Sequence, residues 1–290
     1  MNTIVKTNNR IIASPMNYIG GKAKLLPQLF PLFPSKIDNF YDPFTGGGNV
    51  AVNVVAEQVK ANDINKYVIQ ILSDFQNLEI DYILNKIDEI IKTYQLTKEN
   101  KEGFLRLRKD YNSNPNPIML YTLLCYSFNY QFRFNNKHEY NNPFGASRSC
   151  FSSTLRDKLI RFIDKLKKQN IIFSIDEFEN FLLNSKFNQD DFVYLDPPYL
   201  ITTGSYNDGN RGFKDWSIKQ EKKMYDLLHI LNQQGVKWAL SNVIEHKGES
   251  NVLLLDFAKN FNVHLLNHSY HNSSYNTSRT HSSEVLIVNY

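Results

Sequence analysis

Residues 37–64, IDNFYDPFTGGGNVAVNVVAEQVKANDI, constrain the fold of this chain more than any other stretch. An apolar run breaks at Pro43, which has no N–H to give to a strand ladder. Three consecutive glycines, Gly46 to Gly48, come next, and the apolar segment after them predicts a helix. Residues 59–64 predict a second strand ending on Asn62 and Asp63. Strand, glycine turn, helix and strand form a βαβ unit, the building block of open α/β sheets. Such sheets bind ligands beyond the carboxyl ends of their strands, where glycines let the backbone come close. The spacing is not G-x-G-x-x-G, and no Gly-Lys-Ser/Thr follows, so neither phosphate-binding motif is present as written. Asp63 lies about 20 residues beyond Asp42, where an acid can accept hydrogen bonds from ribose hydroxyls. The set points to a nucleoside cofactor without a pyrophosphate. A tight turn with a helix-capping acid is the other reading.

The character changes after about residue 70. Ile80, Ile83, Leu84, Ile87, Ile91 and Tyr94 recur at helical spacing. IMLYTLLCYSF predicts another apolar helix. Residues 129–153 are Asn-rich, with aromatics and Arg133, Lys137 and Arg148 interleaved; they predict a loop or hairpin that buries no core. Thr154, with Asp157 in the capping-box position, predicts the start of a basic amphipathic helix. The α/β pattern resumes at 171–175 and 191–199. Ser217 with Gln220 predicts a helix running to Gly235, followed by a strand at 236–242. VHLLNHSY and SEVLIVNY predict an antiparallel pair at the end. The expected architecture is one α/β sheet formed by residues 1–70 and 166–290, interrupted by a mostly helical insert at 71–165.

Composition adds bounds. At 290 residues, 42% hydrophobic and 21% charged, the chain can bury a sizeable core. A net charge of +4 permits a nucleic-acid partner without demanding one. Two cysteines, Cys125 and Cys150, make no disulfide framework. MNTIVKTNNR has no apolar signal region, and no run of about 18 apolar residues occurs. A soluble cytoplasmic protein without membrane contact is expected. His264, His268, His271 and His281 alternate with Ser, Asn and Tyr near no cysteine, so a surface hairpin is expected there and no metal site.

YLDPPYL, residues 194–200, carries the chemistry. Pro197 and Pro198 halt an apolar strand and leave carbonyls without neighbouring donors. Asp196 is an anionic acceptor, and Tyr199 offers a flat face. Together they suit a planar molecule with an exocyclic amine. The amine would donate to the Asp196 carboxylate and the Pro197 carbonyl while the ring stacks on Tyr199. Such bonds free the nitrogen lone pair for in-line attack on a methyl sulfonium, which needs mainly positioning and electrostatics. MNYIGGKAKLL, residues 16–26, could form a cofactor lid or a plain surface turn.

The order NYIGGK, DPFTGGG, polar insert and DPPY resembles the α-group DNA adenine-N6 methyltransferases, the Dam-like family, through nearly the whole chain. FLRLRKDYN, NNPFG, DFVYLDPPYLIT and LSNVIEHKG are similar to the Dam methylases of T-even bacteriophages in particular. The resemblance implies a Rossmann-like sheet, S-adenosylmethionine as methyl donor and double-stranded DNA as substrate, with a cognate restriction endonuclease as a functional rather than stable partner. It implies cofactor roles for Tyr18, Lys22, Asp42, Phe44, Gly46, Gly47, Gly48, Asp63, Asp191, Phe192 and Asp196, and catalytic roles for Asp196, Pro197, Pro198 and Tyr199. The insert would be the target-recognition domain. Arg133 and Arg148 can each read a guanine edge bidentately. Asn135, Asn136, Asn141 and Asn142 can bond bases or phosphates. Tyr130, Phe134 and Tyr140 can wedge into the stack beside a flipped adenine. Arg133 and Pro143 match base-contacting positions of the family. GASRSC departs from the phage pattern, which leaves the role of Arg148 and the target site open; GATC is the site the resemblance suggests. The basic helix that follows could line the DNA backbone or be a solvated face. Cytosine-N4 enzymes usually carry Ser at the position of Asp196, and RNA or protein-amide enzymes Asn. These substrates, and a DNA-binding protein without catalysis, are the alternatives.

Overall fold

The computed structural model describes residues 10–202, 216–267 and 282–290. Its strands are β1 (Asn39–Asp42), β2 (Gln58–Asn62), β3 (Ile171–Ser174), β4 (Phe192–Leu195), β5 (Lys237–His246), β6 (Glu249–Ser250), β7 (Asn262–Leu266) and β8 (Ser282–Val288). They form one sheet in the order β3-β2-β1-β4-β5-β8-β7, with β6 paired to β5. From β3 to β5 every pairing is parallel. β8 runs antiparallel to both β5 and β7, so the expected terminal pair belongs to the same sheet, with β8 slotted inside it.

All four residues of β4 are buried, and they alternate between two cores. Phe192 and Tyr194 face one cluster, with Phe40, Val59, Leu72 and Leu286. Val193 and Leu195 face the other, with Tyr41, Leu228, Trp238 and Ile287. A strand covered on both faces must be continuously apolar, as FVYL is. The first cluster takes in α2 (Lys66–Asn77), α3 (Ile80–Tyr94), α4 (Lys101–Ser113), α5 (Pro117–Tyr126) and α6 (Ser153–Lys167). The second takes in α7 (Phe178–Leu183), α8 (Ile218–Gln233) and α9 (Val252–Ala258). A short helix α1 (Leu26–Leu29) precedes β1. Asparagine side chains cap α2, α4, α5 and α9, from Asn65, Asn100, Asn116 and Asn251. Each accepts from orphan N–H groups of the first turn. Ser217 caps α8 as expected, and Gly235 closes it at φ +74°, with Val236 N–H reaching back to Leu231 O at 3.0 Å.

Three local expectations change. Residues 49–53 make consecutive turns rather than the helix predicted after the glycines. Asn49 and Asn53 spend their amides on the N-terminal segment instead: Asn49 Oδ1 accepts from Ser14 N at 2.8 Å, and Asn53 pairs both ways with the backbone of Ile12. Two Asn among β-branched valines favour such side-chain competition over a helix. The cap of α6 is Ser152, whose Oγ accepts from Leu155 N, and Thr154 lies inside the helix. The Asn-rich segment also buries more than predicted. Phe132, Phe134, Tyr140 and Asn142 are all buried. Phe134 stacks on Tyr67 of α2, with ring centroids 4.0 Å apart and planes within 9°. Asn112 of α4 bonds both backbone groups of Tyr140, and Arg108 donates to Asn142 O at 3.2 Å. These contacts give FLRLRKDYN its structural job of gripping the loop.

Candidate active site

Parallel pairing brings the ends of β1, β2 and β4 together, so the three motifs of the sequence meet at one edge of the sheet. After β1 the chain turns through Gly46 and Gly48, both with positive φ at +49° and +78°. Asp63, just past β2, holds this turn: its Oδ2 accepts from Gly46 N at 2.8 Å and its Oδ1 from Asn65 N at 2.8 Å. Tyr18 closes over the glycines. A Cβ on Gly46 would stand 2.9 Å from the Tyr18 ring, and one on Gly47 3.1 Å from Tyr18 Cβ. The Tyr18 hydroxyl accepts from Asn65 Nδ2 at 3.2 Å. NYIGGK is therefore a cover on the glycine turn and not a detached surface turn.

Asp42 ends β1 and is buried. Burial, with Asp196 and Asp63 nearby, pushes its carboxyl up to about 8. Burial takes Asp63 up to about 6 against the pull of its two backbone donors. Asp42 Oδ1 and Thr45 Oγ1 are both buried and make no hydrogen bond of good geometry among the described residues, although Thr45 lies close enough to Asp42 to draw its carboxyl back down in part. A carboxyl and a hydroxyl left unsatisfied beside a glycine cradle fit a ligand that brings a cation, which would favour the ionised carboxylate, and hydrogen-bond donors. Phe44 packs on Phe178 and Trp216 at centroid distances of 5.3 and 5.6 Å. Trp216 is anchored in turn by its Nε1–H on the buried Glu221, which also accepts from Tyr225 OH and Asn242 Nδ2.

Asp196 leaves β4 beside this cradle. Lys22 Nζ lies 2.9 Å from Asp196 Oδ1 and 3.2 Å from Glu284 Oε1, and also donates to Gly20 O at 3.2 Å. Tyr199 OH stands 3.0 Å from Asp196 Oδ1 and 2.9 Å from Glu284 Oε1. Burial holds the Asp196 carboxyl above its ordinary value, and Lys22 offsets only part of that rise. The Tyr199 ring is buried, with the Lys22 ammonium 5.0 Å from its centroid, so one face of the expected stacking platform is already occupied. Pro197 and Pro198 follow without strand pairing, as their missing N–H groups require.

Tyr18, Lys22, Asp42, Phe44, Gly46 to Gly48, Asp63 and Asp196 to Tyr199 thus gather at one place. Asp191 and Phe192 do not. They begin β4, where Asp191 accepts from Asn39 N at 3.0 Å and Asn39 Nδ2 at 2.7 Å, at the start of β1. Five residues of extended chain put them roughly 16 Å from Asp196. Asp191 joins strand starts, and Phe192 is core. Glu284, Thr45, Phe178 and Trp216 are the site residues that sequence reading passed over. Glu284 left a trace: in SEVLIVNY it takes the same strand face as Leu286 and Val288, an acid in an apolar stripe.

In the insert, Arg133, Asn136, Pro143 and Arg148 are exposed. Asn135 is committed to its own turn: its Oδ1 accepts from Lys137 N and Glu139 N, and its Nδ2 donates to Glu139 Oε2 at 2.7 Å. Asn142 is buried on Phe128 O. Phe134 and Tyr140 are core residues and cannot act as wedges, whereas Tyr130 is half-exposed. The loop meets the cover on the glycine turn directly: Phe132 packs edge-on against Tyr18 at 5.5 Å, and Asn17 Nδ2 donates to Asn129 O at 3.0 Å. Arg156 of the basic helix pairs with Asp88. Among the described residues no cluster could hold a metal, and no helix is long and apolar enough to cross a membrane. His268, His271 and His281 lie outside the described residues.

The five parallel strands, the inserted antiparallel β8, and a glycine cradle beside an Asp-Pro-Pro-Tyr strand tip define a class: a mixed α/β sheet of the S-adenosylmethionine-dependent methyltransferase type. The chain belongs to the D12 class of N6 adenine-specific DNA methyltransferases, whose family model matches residues 18–275. It is 55% identical over 285 residues to the type II methyltransferase M.FokI of Planomicrobium okeanokoites, covering 98% of this chain and 44% of that protein. It is 49% identical over 291 residues to the modification methylase StsI of Streptococcus sanguinis, covering 100% of this chain and again 44% of the relative. A DNA adenine methylase of Haemophilus influenzae is 25% identical over 224 residues, 76% of this chain and 75% of the relative. The chain therefore spans less than half the length of the first two.

Proposed function

We propose that this protein moves the methyl group of S-adenosylmethionine to the exocyclic N6 amine of an adenine flipped out of duplex DNA. The observation that carries the reading is the Asp196 carboxylate at the tip of β4, bonded on Oδ1 by Lys22 and Tyr199, beside the cradle of Asp42 and Gly46 to Gly48. Asp42, Thr45 and the glycine backbone would hold the methionine part, Asp63 the ribose, and Tyr18 the cover. When bound, the cofactor supplies an electrophilic methyl carbon on a sulfonium. Asp196 and the Pro197 carbonyl accept hydrogen bonds from the amine, which turns its lone pair outward. Lys22 favours the anionic form of Asp196 against the pull of burial, as an opposite charge within hydrogen-bond reach does. The amine nitrogen would gain a bond to the methyl carbon as the carbon–sulfur bond breaks and the sulfonium leaves as a neutral thioether; the positive charge then on nitrogen is discharged as its proton departs through the carboxylate to solvent. Preorganised electrostatics of this kind do not require Asp196 to be a strong base.

Residues 71–165 act as the target-recognition insert, with Arg133 the leading base reader and Asn136, Pro143 and Arg148 beside it on the exposed face. The adenine lies in a short duplex site, with GATC as the first sequence to try. The names of two relatives favour a restriction-modification setting, in which a cognate endonuclease shares the site without binding this chain. The test is label transfer from tritiated S-adenosylmethionine to plasmid DNA, followed by modification-sensitive sequencing. Asp196→Ala is expected to lower turnover by on the order of 10²–10³-fold while cofactor binding persists. Near-normal turnover of that variant, or label absent from adenine, would defeat the reading.

A further inference from the structure

Glu284 is an acid on an internal strand, 2% exposed, where sequence alternation calls for an apolar residue. Its neighbours on the same strand, Val285 to Val288, are all buried and apolar. A buried carboxylate persists when donors surround it. Here the donors are Lys22 Nζ and Tyr199 OH, the same two groups that touch Asp196.

The donor count is informative. An ammonium has three N–H bonds. Those of Lys22 match Gly20 O at 3.2 Å, Asp196 Oδ1 at 2.9 Å and Glu284 Oε1 at 3.2 Å. A phenol has one O–H, and that of Tyr199 lies between Asp196 Oδ1 and Glu284 Oε1. Both donors meet Asp196 on Oδ1. Asp196 Oδ2 takes no hydrogen bond from any described residue, and its side chain keeps 16% exposure. Without Glu284, Lys22 and Tyr199 would lose the acceptor that fixes them from behind and could rotate onto Oδ2.

We propose that Glu284 is a positioning residue for methyl transfer, holding Lys22 and Tyr199 on Asp196 Oδ1 so that Oδ2 is the oxygen offered to the substrate amine. The inference rests on the amine-methylation reading above. The strand reversal gives it a structural rationale: β8 enters antiparallel beside β5, so the first residues of β8 reach the edge where β1, β2 and β4 end. The titratable groups around Glu284 and its partners are Lys22, Asp196 and Tyr199 in contact, Tyr194 on β4, and Asp42 at the end of β1. The Glu284 charge works against ionisation of Asp196, and Lys22 works for it.

The test compares Glu284→Gln and Glu284→Ala with wild type and Asp196→Ala in the full chain. It measures single-turnover label transfer to duplex DNA, the dissociation constant for S-adenosylmethionine, and the pH dependence of the single-turnover rate. Glu284→Ala is expected to slow transfer by roughly 10-fold to 100-fold, the scale of a misplaced reacting group, with cofactor affinity within about twofold of wild type. Glu284→Gln keeps an acceptor and the fold but removes the charge, so the acid limb of its pH profile is expected to move to lower pH. Wild-type rates and an unmoved acid limb in Glu284→Gln overturn the proposal. So does a loss in both variants that follows weakened cofactor binding alone. If wild type and Asp196→Ala behave alike, it is the methyl-transfer reading that fails; if Asp196→Ala is dead while both Glu284 variants match wild type, only the role of Glu284 fails.

Discussion

Gly46 and Gly48 are two residues apart in the same turn, both left-handed, yet the same change should affect them differently. An L side chain in this region costs about 1–2 kcal/mol. Alanine returns about 0.4–1 kcal/mol by restricting the unfolded chain. Each Gly→Ala variant should therefore lose on the order of 1 kcal/mol, a fall in Tm of roughly 2–4 °C for a domain of this size. The new methyl groups meet different neighbours. At Gly48 the nearest atom is Leu72 Cδ2 at 3.3 Å, the free end of a flexible side chain. At Gly46 it is the Tyr18 ring at 2.9 Å, closer than real contacts allow, and Tyr18 is pinned by Asn65 and Phe132. Gly46→Ala must therefore push the cover off the cradle. Titration calorimetry should show S-adenosylmethionine binding at least about tenfold weaker, or about 1.4 kcal/mol, for Gly46→Ala. Gly48→Ala should stay within about twofold of wild type. Wild-type affinity in Gly46→Ala, or an equal loss in both variants, would refute the placing of Tyr18 over the bound cofactor.

Three further outcomes separate charge from packing. The Asp42 carboxyl titrates near 8 when folded and near 3.8 when free, so the folded chain holds the extra proton and stability falls as pH rises from about 4 to about 8. Asp63 acts in the same direction up to about 6. Melting followed from pH 5 to 9 should show wild type losing more Tm than Asp42→Asn; equal slopes would contradict the burial of Asp42. In the insert, Arg133→Ala should leave Tm unchanged and cost roughly 1–3 kcal/mol of site discrimination in a mismatched-duplex assay. Its neighbour Phe134→Ala should lower stability by about 3–5 kcal/mol through the lost stack on Tyr67. Unchanged selectivity in the first variant or an unchanged Tm in the second would count against the division between reader and support.

Much of the site was legible because it follows local rules. Proline after Asp42 and Asp196 stops a strand whatever surrounds it, and glycine is the residue that tolerates the turn between them. The errors were also physical. The Asn-rich loop looked solvated because its composition is polar, but its aromatics find partners on other elements: Tyr18 for Phe132, Tyr67 for Phe134, Tyr111 for Tyr140, Phe104 for Phe144. The helix expected after the glycines failed because Asn49 and Asn53 bond to Ser14 and Ile12, residues far away in the chain. Asp191 sits close to Asp196 in the chain but belongs to the opposite end of β4, because a strand carries its two ends apart.

The amino-acid order alone determined where the chain must turn, which strands are buried on both faces, and which acid stands at each tip, since sterics and burial periodicity act over a few residues. Only the tertiary structure decided that Lys22, Asp196, Tyr199 and Glu284 share one set of hydrogen bonds. An ion pair between distant segments depends on strand order and on the reversal of β8, and no local preference along the chain encodes either.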